Sequence, residues 1–76
     1  MTRKDALILV EGALNQQPGT IAEDTPLHGL ATWDSLGMLD IIVTFDRNFK
    51  VVISPEAMTQ CRTAADLLNL VKNQLV

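Results

Sequence analysis

The first apolar pattern along the chain predicts a helix over residues 3–15. Leu7, Val10 and Leu14 are spaced three and four residues apart, which places them on one face of a helix. Thr2 and Asp5 form a capping-box pattern in front of this stripe. The breaker pair at positions 18–19 then ends the helical pattern.

A second stripe predicts a helix over residues 35–49. Leu39, Ile42, Phe45 and Phe49 recur at helical spacing, and Asp34 stands where a helix N-cap belongs. The β-branched run at positions 41–44 is the main argument for a strand instead. The longer period favours the helix.

The last third of the chain predicts one short helix and one longer helix. Ser54 followed by Pro55 is a strong helix start, and it predicts a short helix over residues 55–60. Thr63 and Asp66 form another capping-box pattern. A stripe then predicts a last helix that ends at about residue 75; its members are Leu67, Leu70, Val71 and Leu75.

Residues 16–33 have no sustained period, and several breaker residues interrupt them. Four apolar residues recur through this segment and are expected to anchor it to the core as an ordered loop: Ile21, Leu27, Leu30 and Trp33. The predicted fold is therefore all-α. It is a small four-helix bundle of three main helices and one short third helix, with a long ordered loop between the first two. We expect residues 1–76 to form a single domain.

Composition and charge narrow the class of protein. The 76 residues are 47% hydrophobic and 20% charged, as in a folded globule. From Asp5 through Asp46 there are seven acidic residues and no lysine or arginine, which is unfavourable for binding nucleic acid. This acidic stretch fits either a surface that steers basic protein partners or a solvated face that keeps the chain soluble. The chain has one cysteine and no pattern for a membrane span or a secretion signal, so we expect a cytoplasmic protein.

Few residues in the chain could carry chemistry. A single histidine, His28, excludes the usual nucleophilic triad, and its neighbours identify no partner for it. Cys61 is expected to pack as a small apolar residue, and the two together are too few for a structural zinc site. One constellation stands out, Trp33-Asp34-Ser35-Leu36, which ends a long loop and begins an amphipathic helix. The plain structural interpretation is that Asp34 caps the helix and Ser35 has no further role.

Taken with the predicted element order, this motif makes the whole chain resemble the acyl carrier proteins. The resemblance includes Asp34-Ser35-Leu36, the long first loop, Phe49 near the end of the second helix, and the start of the third helix at Ser54-Pro55. It implies that Ser35 is esterified with 4′-phosphopantetheine from coenzyme A, with Asp34 as part of the motif. It also implies a non-catalytic carrier, whose modifying phosphopantetheinyl transferase supplies the base and Mg²⁺.

The resemblance further implies that loading and processing enzymes dock basic patches on the second helix. The matching positions are Leu36, Leu39, Asp40, Val43 and Asp46; for Leu39, core packing is an equally good interpretation. Gly37, Arg47 and Lys50 depart from the pattern of general fatty-acid biosynthesis carriers. These departures favour a specialised lipid, polyketide or related pathway. Because the chain starts at Met1 and stops as its last predicted helix ends, we expect a free-standing carrier, and we expect it to be monomeric. A peptidyl or aminoacyl carrier, and a non-carrier interaction module of the same fold, remain alternatives.

Carriers of this kind can shelter their cargo beside the second helix. We expect the pocket here to be shallow, because Phe45 and Phe49 fill volume that smaller residues would leave open. The expected lining is Leu39, Ile42 and Phe45, facing Ile53, Met58, Ala64, Leu67 and Leu68.

Overall fold

The computed structural model describes all residues from Met1 to Val76, and it is built of four α-helices without strands. The helices are α1 (Arg3–Ala13), α2 (Ser35–Phe49), α3 (Pro55–Gln60) and α4 (Ala64–Asn69). Two short 3₁₀ turns, at Leu27–Gly29 and Lys72–Gln74, complete the fold. This confirms the predicted all-α class and the small four-helix bundle. No helix is both long enough and apolar enough to cross a membrane.

Local capping groups set where the helices begin. The Thr2 hydroxyl accepts the Asp5 N–H at 3.1 Å in front of α1. The Ser54 hydroxyl accepts the Ala57 N–H at 3.2 Å in front of α3. The Asp66 carboxylate accepts the Thr63 N–H at 3.2 Å at the start of α4. Each bond satisfies a backbone donor at a helix start, which is why these starts are predictable from sequence.

Two helices end earlier than predicted. α1 ends at Ala13 rather than residue 15, because Asn15 adopts a left-handed conformation with φ of 56°. The Gln16 N–H then bonds back to the Glu11 carbonyl at 2.8 Å, which is a Schellman ending with asparagine in the glycine position. α4 ends at Asn69 rather than about residue 75, because the backbone tightens into turns in which Val71 bonds to Leu68. Val71 itself is buried in the core.

The core lies where α1 packs against α2 and α4, with α3 against α2. Sixteen apolar residues form it: Ala6, Val10, Leu14, Ile21, Leu27, Trp33, Ile41, Phe45, Phe49, Ile53, Met58, Cys61, Ala64, Leu67, Leu68 and Val71. On α2 the buried row recurs every four residues, at Gly37, Ile41, Phe45 and Phe49. The expected stripe through Leu39 was wrong there, since Leu39 is 53% exposed. The rings of Phe45 and Phe49 meet edge to face with centroids 5.4 Å apart.

The long loop is ordered by both packing and hydrogen bonds. Ile21, Leu27 and Trp33 are buried in the core, as predicted, while Leu30 is half-buried. The Ile21 N–H donates to the Glu11 carboxylate at 2.9 Å, which ties the loop to α1. The loop also accepts backbone N–H groups from the first turn of α4, with Ala65 bonding to the Glu23 carbonyl at 2.8 Å. These bonds fix the loop between α1 and α4 and deliver its end to the start of α2.

Candidate functional site

The junction between the long loop and α2 is built around Asp34. Its backbone is extended, and its carboxylate accepts the Gly37 N–H at 2.9 Å. Its carbonyl accepts the Met38 N–H at 2.8 Å and so begins the helical hydrogen-bond ladder. Asp34 is therefore the N-cap of α2, and the next residue, Ser35, is the first residue of the helix.

Ser35 presents an unengaged hydroxyl at this junction. The residue is exposed, and its hydroxyl makes no hydrogen bond within the protein. The backbone N–H groups of Ser35 and Leu36 also have no acceptor in the chain. Free N–H groups at the positive end of a helix dipole favour a negatively charged group. These N–H groups would favour an anionic substituent on Ser35, and the neighbouring Asp34 carboxylate would oppose it.

Nothing in the chain activates this serine. The single histidine, His28, lies exposed on the 3₁₀ turn Leu27–Gly29, and its imidazole makes no hydrogen bond with Ser35. A serine hydroxyl is a weak nucleophile at its ordinary pKa and needs an adjacent base. No base is hydrogen-bonded to Ser35 within the chain.

A partly open groove of about 570 Å³ begins at Ser35 and lies between α2 and α3. Its lining is mostly apolar and comprises Ser35, Met38, Leu39, Ile42, Pro55 and Thr59. The Thr59 hydroxyl donates to the Glu56 carbonyl at 2.7 Å, so it is already satisfied within α3. The groove can therefore accept a short apolar chain that starts at Ser35.

The groove corrects the lining expected from sequence. Leu39 and Ile42 do line it, but Phe45 is fully buried in the core and does not. The facing set was also wrong, because all five of its members are core residues: Ile53, Met58, Ala64, Leu67 and Leu68. Met38, Pro55 and Thr59 were missed. The sequence did predict that the third helix faces the second, through Met58. Met58 is instead fully buried in the core, and Pro55 and Thr59 of α3 line the groove.

The exposed side of α2 holds the predicted partner-contact residues together. Leu36, Leu39 and Val43 are 73%, 53% and 44% exposed. Asp40 and Asp46 are also exposed, and neither carboxylate has a partner. Arg47 extends the same side, because Leu36, Asp40, Val43 and Arg47 are spaced four and three residues apart. Leu39 is thus a surface residue, which excludes the core-packing interpretation of its position.

Most acidic residues between Asp5 and Asp46 bond to other groups within the chain. Glu11 is buried, and Asp5 and Asp34 cap helices. Glu23 pairs with Arg3 at 2.7 Å, and the guanidinium holds the pKa of Glu23 below its usual value of 4.5. The acids of the stretch that stay exposed and unpaired are Asp24, Asp40 and Asp46. Two of these three lie on α2, five and eleven residues after Ser35.

Comparison with known protein families identifies the family to which this chain belongs. A family model described as "Phosphopantetheine attachment site" matches residues 7–71, which include Ser35, all of α2 and all of α3. No curated protein and no solved structure shows a significant match. The family match confirms the predicted carrier resemblance and its cofactor, which is covalently attached 4′-phosphopantetheine. The free hydroxyl and N–H groups at the start of α2 fit a phosphate ester there.

Proposed function

The chain belongs to the phosphopantetheine attachment site family, and we propose that it is an acyl carrier protein with its arm on Ser35. The observation that carries the proposal is the exposed, unbonded Ser35 hydroxyl at the first residue of α2, directly beside an apolar groove. When bound, the arm supplies a terminal thiol that holds cargo as a thioester.

Each residue of the junction has a role in attachment. The Ser35 oxygen forms a new ester bond to the pantetheine-side phosphorus of coenzyme A. The P–O bond of the pyrophosphate bridge breaks, and adenosine 3′,5′-bisphosphate leaves. The serine proton passes to a base on the phosphopantetheinyl transferase, which also supplies Mg²⁺. Asp34 holds the helix start through Gly37, and the free N–H groups of Ser35 and Leu36 favour the phosphate charge. The chain itself catalyses no step.

An acyl cargo fits the site better than an aminoacyl one. The groove beside Ser35 offers apolar walls from Met38, Leu39 and Ile42, and it contains no charged side chain. A charged amine would lose its hydration there without gaining an ion pair. An acidic residue, Asp34, precedes the serine, and this also favours the acyl class by resemblance. A peptidyl or aminoacyl carrier is the second candidate.

The proposed pathway is specialised rather than general fatty-acid synthesis. Gly37, Arg47 and Asn48 make α2 less acidic than in a general fatty-acid carrier, so partner enzymes must accept this mixed surface. They would dock on Leu36, Leu39, Asp40, Val43 and Asp46 through basic patches. We place this monomeric carrier in the cytoplasm, where soluble loading and processing enzymes would reach it.

Attachment is tested by the intact mass of the protein after incubation with coenzyme A and a broad-specificity transferase. The wild type should gain one phosphopantetheine unit, and Ser35→Ala should gain none. The matched control is Ser54→Ala, at the other serine of the chain. It should be modified normally, although loss of the α3 cap should cost about 1 kcal/mol of stability. Modification of Ser35→Ala would disprove the assignment, and an unmodified wild type would favour the non-carrier module.

A further inference from the structure

Gly37 is the one glycine of the chain whose position leaves no room for a side chain. It is buried in the first turn of α2, and a Cβ built there would lie 2.0 Å from the Thr32 carbonyl oxygen. The same Cβ would lie 3.0 Å from a methyl carbon of Leu14. A methyl at the end of a leucine side chain can move, but the Thr32 oxygen belongs to the backbone of the loop. By contrast, a Cβ at Gly12, also in a helix, would meet nothing within 4 Å.

The Thr32 carbonyl is part of the junction that carries Ser35. It accepts the Asp34 N–H at 3.0 Å, and so it sets the turn that leads into α2. Asp34 in turn caps the Gly37 N–H at 2.9 Å. Gly37 therefore meets the loop twice, through a close approach to Thr32 and through a hydrogen bond to Asp34. Both contacts join Gly37 to loop residues that precede Ser35, so Ser35 lies between the two sides of each contact in the sequence.

We propose that Gly37 is a positioning residue for the modification of Ser35. The missing side chain lets the Thr32–Asp34 segment lie directly on the first turn of α2, and this contact fixes the Ser35 hydroxyl relative to the docking surface of the helix. A methyl group at position 37 must displace either that segment or the start of the helix. Ser35 is the first residue of α2 and directly follows the Thr32–Asp34 segment, so either displacement would move it. The inference rests on the proposed function, since it concerns the rate of attachment at Ser35.

The chain contains its own probe of this contact. Trp33 is the only tryptophan, is 8% exposed, and lies between Thr32 and Asp34. Its indole N–H is buried without a hydrogen-bond acceptor, so packing alone holds the ring. Displacement of the Thr32–Asp34 segment should therefore expose the ring and shift its fluorescence to longer wavelength. A loss of stability elsewhere in the bundle would not change Trp33 emission in the folded protein.

The experiment compares Gly37→Ala with Gly12→Ala in transferase kinetics and tryptophan emission. We expect Gly37→Ala to lower kcat about tenfold or more, because misplacing a reacting group by about 1 Å can cost a hundredfold. The KM for the carrier should stay within about twofold, because the α2 side chains that dock are unchanged. Emission should shift to longer wavelength. Gly12→Ala should leave both readouts at their wild-type values.

Two further variants separate positioning from folding. Val71→Ala removes buried volume in the segment after α4, so it lowers stability without touching the junction. Equal loss of kcat in Val71→Ala would overturn the proposal. Gln16→Ala removes the 3.1 Å hydrogen bond from Gln16 to the Thr32 hydroxyl, and so loosens the same segment without a clash. It should lower kcat about threefold and shift Trp33 emission.

The outcomes distinguish this inference from the proposed function. An unmodified wild type would contradict the function itself. A modified wild type with normal kcat in Gly37→Ala would contradict only the role of Gly37. If Gly37→Ala does not fold, Gln16→Ala decides: wild-type kcat and emission in that variant would overturn the positioning role.

Discussion

Cys61 is chemically protected by its surroundings. The thiol is 3% exposed, and its sulfur lies 3.4 Å from the Ala57 carbonyl oxygen. Burial, with a smaller contribution from the nearby Asp66 charge, raises the pKa of Cys61 from 9.0 to about 11. Because the thiolate is the reactive form, this residue should be inert while the chain is folded. The structure thus agrees with the sequence prediction that Cys61 packs as an apolar residue.

This protection predicts how many thiols react in the carrier with its arm attached. At pH 8 a thiol with the usual pKa of about 8.5 is roughly one quarter ionised, whereas Cys61 is ionised on the order of one part in a thousand. The arm should therefore supply one fast thiol, at least about a hundredfold faster than Cys61. A disulfide reagent such as Ellman's measures both. Protein without the arm should react only when denatured, and Cys61→Ala should leave the fast phase unchanged. Fast reaction of the folded protein without the arm would contradict the burial of Cys61.

Individual residues were predictable where their partners are close in sequence. Thr2 and Ser54 bond to backbone N–H groups three residues ahead, so spacing alone identified these caps. Glu11 was counted among the surface acids, but it is 3% exposed and bonds to Ile21, ten residues away. At Gly37 the sequence shows only that a side chain is absent. The structure explains the glycine by the Thr32 carbonyl, which lies too close to leave room for a Cβ. Thr32 belongs to a loop that has no sequence periodicity, so the contact could not be predicted. Such contacts depend on the tertiary fold, and no local pattern indicates them.

At the scale of elements, α2 divides its surface between the core and the solvent. Its buried row includes Ile41 and Phe45, and its exposed side includes Leu36, Asp40 and Val43. Unpaired carboxylates on that side raise the rate of encounter with a basic partner, since charges at the rim of an interface act mainly on association. Arg47, near the C-terminal end of α2, adds a positive charge to the same side. The exposed side of α2 is therefore mixed in charge, with Asp40 nearer Ser35 and Asp46 next to Arg47.

We predict that Asp40→Lys slows arm attachment about fivefold at low salt through a lower association rate. Added salt should slow the wild type toward the variant, because screening shortens the range of exposed charges to about 8 Å at 0.15 M. The matched control is Asp24→Lys, an equal charge change on the long loop, where the free carboxylate lies outside α2. It should stay near the wild-type rate. Equal slowing by both variants would indicate net charge, and no slowing by either would leave the acids a role in solubility only.

The sequence predicted that each helix exists, but it predicted less well which face of each helix is buried. α2 and α3 have the predicted bounds, 35–49 and 55–60. On α1 the buried apolar residues are Ala6 and Val10, and Leu14 continues their row at the C-cap. The predicted stripe began at Leu7, which is only half-buried. Each helix carries apolar residues on more than one of its faces, so several faces show the helical spacing of a buried stripe. The packing of α1 against α2 and α4 then selects which face is buried.

At the scale of the whole molecule, the core and the groove are separate volumes. Phe45 and Phe49 fill the centre of the bundle, and the groove lies outside them between α2 and α3. Phe45→Ala would therefore make a core cavity, at a cost of about 3–5 kcal/mol, rather than deepen the cargo site. The 27 × 25 × 17 Å molecule thus offers cargo a partly open wall and not an internal chamber.

This geometry predicts how cargo length changes the unfolding temperature. Each fully buried methylene contributes about 0.8 kcal/mol, and a partly open groove should give about half of that. For a domain of this size, about 0.4 kcal/mol corresponds to roughly 2 °C per methylene. The melting temperature should rise over the first few methylenes and then level off once the chain extends beyond Ile42 and Thr59. Calorimetry on carriers loaded with acyl groups of increasing length measures the slope and the plateau.

Two variants and one different cargo make this last test specific. Ile42→Thr places a hydroxyl in the groove wall and should flatten the initial rise. Val52→Thr makes the same kind of change at a residue that is 84% exposed and outside the groove, so it should keep the rise. An aminoacyl cargo should give no rise, because its charged amine stays in water. A continued rise through long chains would mean that the bundle opens to admit them. A larger rise with aminoacyl than with acyl cargo would favour the aminoacyl carrier, since only a site that pairs the amine could produce it.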